Sequence, residues 1–199
     1  MVWTWFIGRP FSAALIGAAL LAVRPLAQTT TPLAVALEDY RQTQSNYFAH
    51  PANTLAAWKF ARACFDVAEY ATNDTQRAAR ANEGIAAARQ GIKLSPNDPA
   101  PHFYLALNLG QLARTKLWTA LGLIKDMEQA FFASIKADET FNRASAHRSL
   151  GMLYHQAPGW PASIGSRTKA RKHLEKAVEL ASGYPDNHLT LMEAYSDWD

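Results

Sequence analysis

A chain of 199 residues, 49% hydrophobic and 19% charged, can bury a core of its own, which excludes global disorder. Its 10 Gly and 10 Pro fall in no collagen-like or linker-like period. The formal charge is +3, and Arg9 and Arg24 supply two of those charges, so the rest of the chain carries no basic sheath for a phosphate backbone and nucleic acid is excluded as a partner.

Residues 11–23 form an uncharged apolar run between Arg9 and Arg24, with Pro25 behind it. That is the layout of a secretory signal peptide, with Ala27 as the expected cleavage point. The run is shorter than the roughly 20 apolar residues of a spanning helix. Adding residues 2–8 across Arg9 would lengthen it into an uncleaved inner-membrane anchor, and a buried N-terminal helix is the third reading. The expected organisation is a signal segment at 1–27 and one helical domain at 28–199. Cys64, the one cysteine, lies in an apolar helical pattern far from that segment, so it reads as a small core residue and cannot carry a lipid anchor. Export would then give a periplasmic or secreted protein.

Beyond a linker at 29–32 apolar residues recur at helical spacing, with no alternating run that would make a strand. Pro51, the 95–101 segment, the 159–165 segment and 183–185 carry the breakers. Helices are predicted at 33–46, 52–72, 75–94, 100–114, 118–137, 140–156, 167–181 and 186–196, an all-α class. They also pair. Leu150, Gly151 and Tyr154 on one helix are followed by Ala170, Leu174 and Ala177 on the next, with a breaker behind, the order of a tetratricopeptide repeat. Looser versions run from Leu105, Ala106 and Leu109 to Met127, Phe131 and Ser134, and from Trp58, Ala61 and Phe65 to Gly84, Ala88 and Gly91. The intervals inside each pair exceed the roughly 8 residues of an ordinary repeat. The array should therefore be irregular, a compact bundle or short solenoid.

The segment His147-Arg148-Ser149-Leu150-Gly151-Met152-Leu153-Tyr154, the loop at 157–166, and then Lys169-Ala170-Arg171 and Leu174-Glu175-Lys176-Ala177 resemble bacterial tetratricopeptide proteins related to the T-component of TRAP transporters. The resemblance covers residues 58–195. It implies a helical protein with irregular repeats that works beside a periplasmic solute-binding protein, without catalysis.

Enzyme templates are absent: there is no G-x-S-x-G, no phosphate-binding glycine loop and no H-E-x-x-H. None of the six histidines pairs with another at the spacing of a helix-borne metal site, so neither metal nor cofactor is expected. His147 and His155 would stand about 12 Å apart on one helix. The loop at 157–166 sets Pro158, Trp160 and Pro161 around Gly159 and then adds Ile164. Such a loop either plugs Trp160 and Ile164 into the core or lines a binding site with a preorganised aromatic. Beside it Arg167, Lys169, Arg171, Lys172 and Lys176 open a helix against its macrodipole, which suits a carboxylate ligand or an acidic partner as well as a solvated face. Asn108, Gln111 and Thr115 share one helical face, open to a groove or to water. Leu117, Trp118, Leu121, Leu123 and Ile124 read as an apolar cluster, more simply core than docking patch.

The expected site residues are therefore Trp160, Ile164, Arg167, His155, Asn108 and Gln111. The expected function is a non-catalytic periplasmic interaction module that binds a partner protein, or a small apolar or carboxylate ligand, near Trp160. A cell-envelope scaffold without a ligand is the alternative. In the last helix Leu189, Met192 and Tyr195 are expected to face the preceding pair, leaving Leu191 free for self-association into a homo-oligomer.

Overall fold

The computed structural model describes residues 31–116 and 120–198. The signal-like segment at 1–27, and Leu117 and Trp118 of the apolar cluster, lie outside the described residues. These form α1 (Pro32–Ala49), α2 (Thr54–Glu69), α3 (Asp74–Leu94), α4 (Pro99–Ala113), α5 (Ala120–Ala137), α6 (Phe141–Gln156), α7 (Arg167–Leu180) and α8 (Pro185–Ser196). The local reasons are visible at the helix starts. Thr31, Asn53, Asn73, Asp98 and Ser166 each accept a backbone N–H of the first turn, and proline opens α1, α4 and α8 where its missing N–H costs nothing. Among the described residues no strand forms, and no helix is long and apolar enough to cross a membrane.

Adjacent helices pack as pairs, α2 on α3, α4 on α5 and α6 on α7, with α1 laid on α2 and α8 closing on α7. Within the first pair small residues bring the helices close: Ala57, Ala61, Cys64 and Ala68 of α2 and Ala81, Gly84, Ala88 and Gly91 of α3 are all buried. A methyl group on Gly84 would overlap the amide of Asn108 on α4. Large side chains fill the space between pairs. Phe103 meets Tyr104, Phe131 and Phe141 at ring distances of 5.2, 6.0 and 5.9 Å, and Trp58 stacks on Tyr104 at 5.7 Å. Cys64 is a core residue, and burial pushes its thiol well above the usual range.

Three details depart from the sequence pattern. Asn142, Arg143 and Ala144 have positive φ, so the regular right-handed part of α6 begins only after Ala144. The corner before α8 supports this turn: Asn187 Nδ2 donates to the Arg143 carbonyl at 3.2 Å, and the Arg143 guanidinium lies 4.7 Å from the Tyr184 ring centre. On α8 the expected stripe is reversed. Asn187 and Ala194 are buried, whereas Leu189 and Met192 are 61% and 66% exposed. The four-residue step from Asn187 to Leu191 and on to Ala194 and Trp198 follows the 3.6-residue turn more closely than the strict three-residue step of Leu189, Met192 and Tyr195. The cluster behind Trp118 also divides, with Ile124 buried and Leu121 exposed.

Candidate functional site

Where α4 and α6 diverge, α5 and α8 wall a crevice of about 230 Å³. Its floor is apolar, from Leu107 and Gly110 of α4, Met127 and Phe131 of α5, and Met152 and Leu153 of α6. Arg148, Gln156, Thr190 and Glu193 form a polar rim. The volume is below the roughly 300 Å³ at which drug-sized ligand pockets begin, so it suits an apolar side chain from a partner better than a whole cofactor. The rim is held in place. Arg148 donates to Asn187 Oδ1 at 2.6 Å and lies 5.2 Å from the Tyr184 ring centre. Burial pulls its guanidinium below the ordinary value.

Gln156 ends α6, and the loop at 157–166 springs from that end of the crevice. The loop is closed by its own backbone. Gly165 N–H donates to Pro158 O and Ser166 N–H to Tyr154 O, both at 2.9 Å, while Ala162 and Ser163 N–H donate to Gly159 O. A side chain at position 165 would overlap the Ala157 carbonyl, so this close approach of two strands of loop requires glycine. The two readings of the loop divide between its residues. Ile164 is half-buried against the core and Trp160 is 89% exposed. Trp160 is therefore not a core plug.

Arg167 and His155 meet at the C-terminal turn. Arg167 Nη1 donates to the Trp198 carbonyl at 3.1 Å with its guanidinium 5.2 Å from the indole centre, and His155 Nε2 lies 3.0 Å from Asp197 Oδ2 with its ring edge-on to Trp198. Trp198 was not singled out by the sequence pattern; an indole so close to the end of the last helix was the only signal. The basic start of α7 is matched largely within the protein. Arg171 pairs with Glu175 and Lys176 with Glu179, each at 2.8 Å, and Lys169 stands 3.9 Å from Glu128.

Asn108 and Gln111 do not line a groove, because α4 is covered on that face by its neighbours and both side chains are fully buried. Asn108 Nδ2 donates to the carbonyls of Ala61 and Tyr104 at 2.9 and 2.8 Å. Gln111 donates to Glu69 and accepts from Arg114. Burial raises the Glu69 carboxyl in spite of Arg114 and Gln111. The six expected residues thus fall into two places, Asn108 and Gln111 inside the α2 to α4 block and the other four around the end of α6. The crevice floor was missed because three separate helices assemble it. Among the described residues no group of three or more His, Cys, Asp or Glu side chains is placed to hold a metal ion.

The comparisons with known proteins bear on the other half of the chain. No curated protein matches it. The family model for regulator of microtubule dynamics protein 1-3 matches residues 28–120, which span α1 to α4 and the first residue of α5, so over just under half its length this helical, repeat-like chain is similar to that family.

Proposed function

We propose that the protein is a non-catalytic interaction module that grips a partner protein with Trp160, and that the crevice between α4 and α6 accepts an apolar side chain of the same partner. The observation that carries this reading is the 89% exposure of Trp160 on a loop closed by backbone hydrogen bonds. A loop already closed by its own backbone loses little freedom on binding, and the indole it carries offers a large contact area, the character of an interface anchor. The irregular tetratricopeptide pairing read along three helix pairs, and a likeness to T-component proteins read over residues 58–195 and quoted from the loop and its flanking helices, suggest a periplasmic solute-binding protein as partner. The test is affinity capture from periplasm with the parent and with Trp160→Ala. Recovery of a solute-binding protein by the parent, lost in the variant, supports the reading; equal recovery by both removes Trp160 from the interface.

A second reading comes from the matched family, whose name concerns microtubule dynamics. On that likeness the α1 to α4 half would act on microtubules. Co-sedimentation with polymerised tubulin at several salt concentrations tests it, and absence of the protein from the pellet at every salt concentration rejects it.

A further inference from the structure

The α6 and α7 pair contains a contact that the interaction reading does not use. His147 Nδ1 and His173 Nδ1 lie 3.0 Å apart with ring centres 5.1 Å apart, and His147 is buried. Two imidazole nitrogens at that distance need one proton between them, so one ring donates and the other accepts. His147 Nε2 has no hydrogen-bond partner and lies 3.8 Å from Glu139 Oε2. The carboxylate favours a proton on that nitrogen, which makes His147 Nδ1 the acceptor and His173 Nδ1–H the donor.

The surroundings do not welcome a second positive charge. α7 contributes Lys169, Lys172, Lys176 and Glu179, with Arg171 and Glu175 along the same groove. The turn before α6 contributes Glu139, α6 the Tyr154 ring at 5.7 Å from His173, and α5 the Phe132 ring at 5.9 Å. Glu128 of α5 already accepts from the Tyr154 hydroxyl and faces Lys169. Glu179 is paired with Lys176. The negative charge nearest the pair is thus Glu139 alone.

We propose that His147 and His173 form an acid-sensitive latch, which holds α7 on α6 while they share one proton and lets α7 separate when both rings are protonated. The first added proton goes to His147, the ring beside Glu139; its Nδ1–H then donates to His173 Nδ1, whose own proton sits on Nε2, and the shared bond stays in place. The second must go to His173 Nδ1, where it removes the only acceptor and sets two cations face to face. Burial, followed by the charges of His147, Lys172 and Lys169, holds His173 down at about 4, and burial lowers His147 as well, so the latch is closed at neutral pH. Because Ser166 N–H is bonded to the Tyr154 carbonyl and Ser166 caps α7, opening also frees the base of the Trp160 loop.

Amide hydrogen exchange of the full chain between pH 7 and pH 4, corrected for the intrinsic rate, tests this without any partner. Protection of the α7 amides should fall at least about tenfold across that range while the α2 and α3 amides keep theirs, and His173→Phe, which keeps a ring but cannot titrate, should abolish the fall. Uniform loss over all helices, or an unchanged fall in His173→Phe, overturns the latch. If that variant does not fold, the imidazole Cε1–H resonances of the parent decide: two rings titrating independently near 6.5 contradict the shared proton.

Discussion

The α2 to α4 block and the α6 to α8 block are built on opposite terms. The first is closed by small residues, with the side chains of Asn108 and Gln111 turned inward, where Asn108 Nδ2 and both polar atoms of Gln111 are bonded to the fold. The second exposes its apolar groups further, Trp160, Leu189 and Met192 at 89%, 61% and 66% against 49% for Leu55 and 45% for Tyr70 in the first, and adds polar contacts between its helices at Asn187, Arg148 and the two histidines. A block that leaves no room gives stability but little to recognise. One that exposes an aromatic on a fixed loop has surface available for binding.

The largest expected effect lies in the closed block. Gly84→Ala sets a methyl group into the Asn108 amide, and the helix propensity it gains, about 1 kcal/mol, is outweighed by overpacking and by the loss of two buried hydrogen bonds. Urea unfolding should show a net loss of about 3 kcal/mol. In the open block Asn187→Ala removes the acceptor of Arg148 and the donor to the Ala177, Ala181 and Arg143 carbonyls. It should cost about 2 kcal/mol, because a guanidinium is left without its partner. If it costs more than Gly84→Ala, the ranking of the two blocks is reversed.

The blocks should also respond oppositely to acid. His147 and His173 are lowered in the folded state, so the unfolded chain binds the extra protons and stability falls as pH drops from about 6.5 to about 4. Asp66 and Glu69 on α2 are raised by burial, so the folded chain binds protons first there. Their effect is to favour folding below the ordinary carboxylate range and to disfavour it as pH rises through the raised folded values. A pH series of urea melts with His173→Phe beside the parent separates the two: the variant should lose the His173 share of the acid penalty and keep the carboxylate dependence. The smallest effect is expected for Trp160→Ala, which should move the melting temperature by less than about 1 °C, as suits a side chain that packs on almost nothing.

The helix positions were legible because breakers and caps are local signals. Each predicted helix lies within a few residues of an observed one, and the all-α class and the pairing follow from the same periodicity. The faces were less legible. Asn108 and Gln111 share a stripe, but a stripe does not say which neighbour covers it, and α2 and α3 cover this one. On α8 two apolar stripes competed, and Asn187, a polar residue, marks the buried side because three carbonyls and Arg148 await it. The contact between His147 and His173 joins residues on two helices, so a search for helix-borne metal spacing passes over it.

The central claim, that Trp160 is a contact point for a partner and not part of the core, is tested most directly by placing a photo-crosslinking phenylalanine analogue at position 160 in cells, with the same analogue at exposed Arg89 on α3 as control. The account predicts one discrete adduct from position 160 and none from position 89. Position 160 yielding no adduct, or the same adducts as position 89, would contradict it.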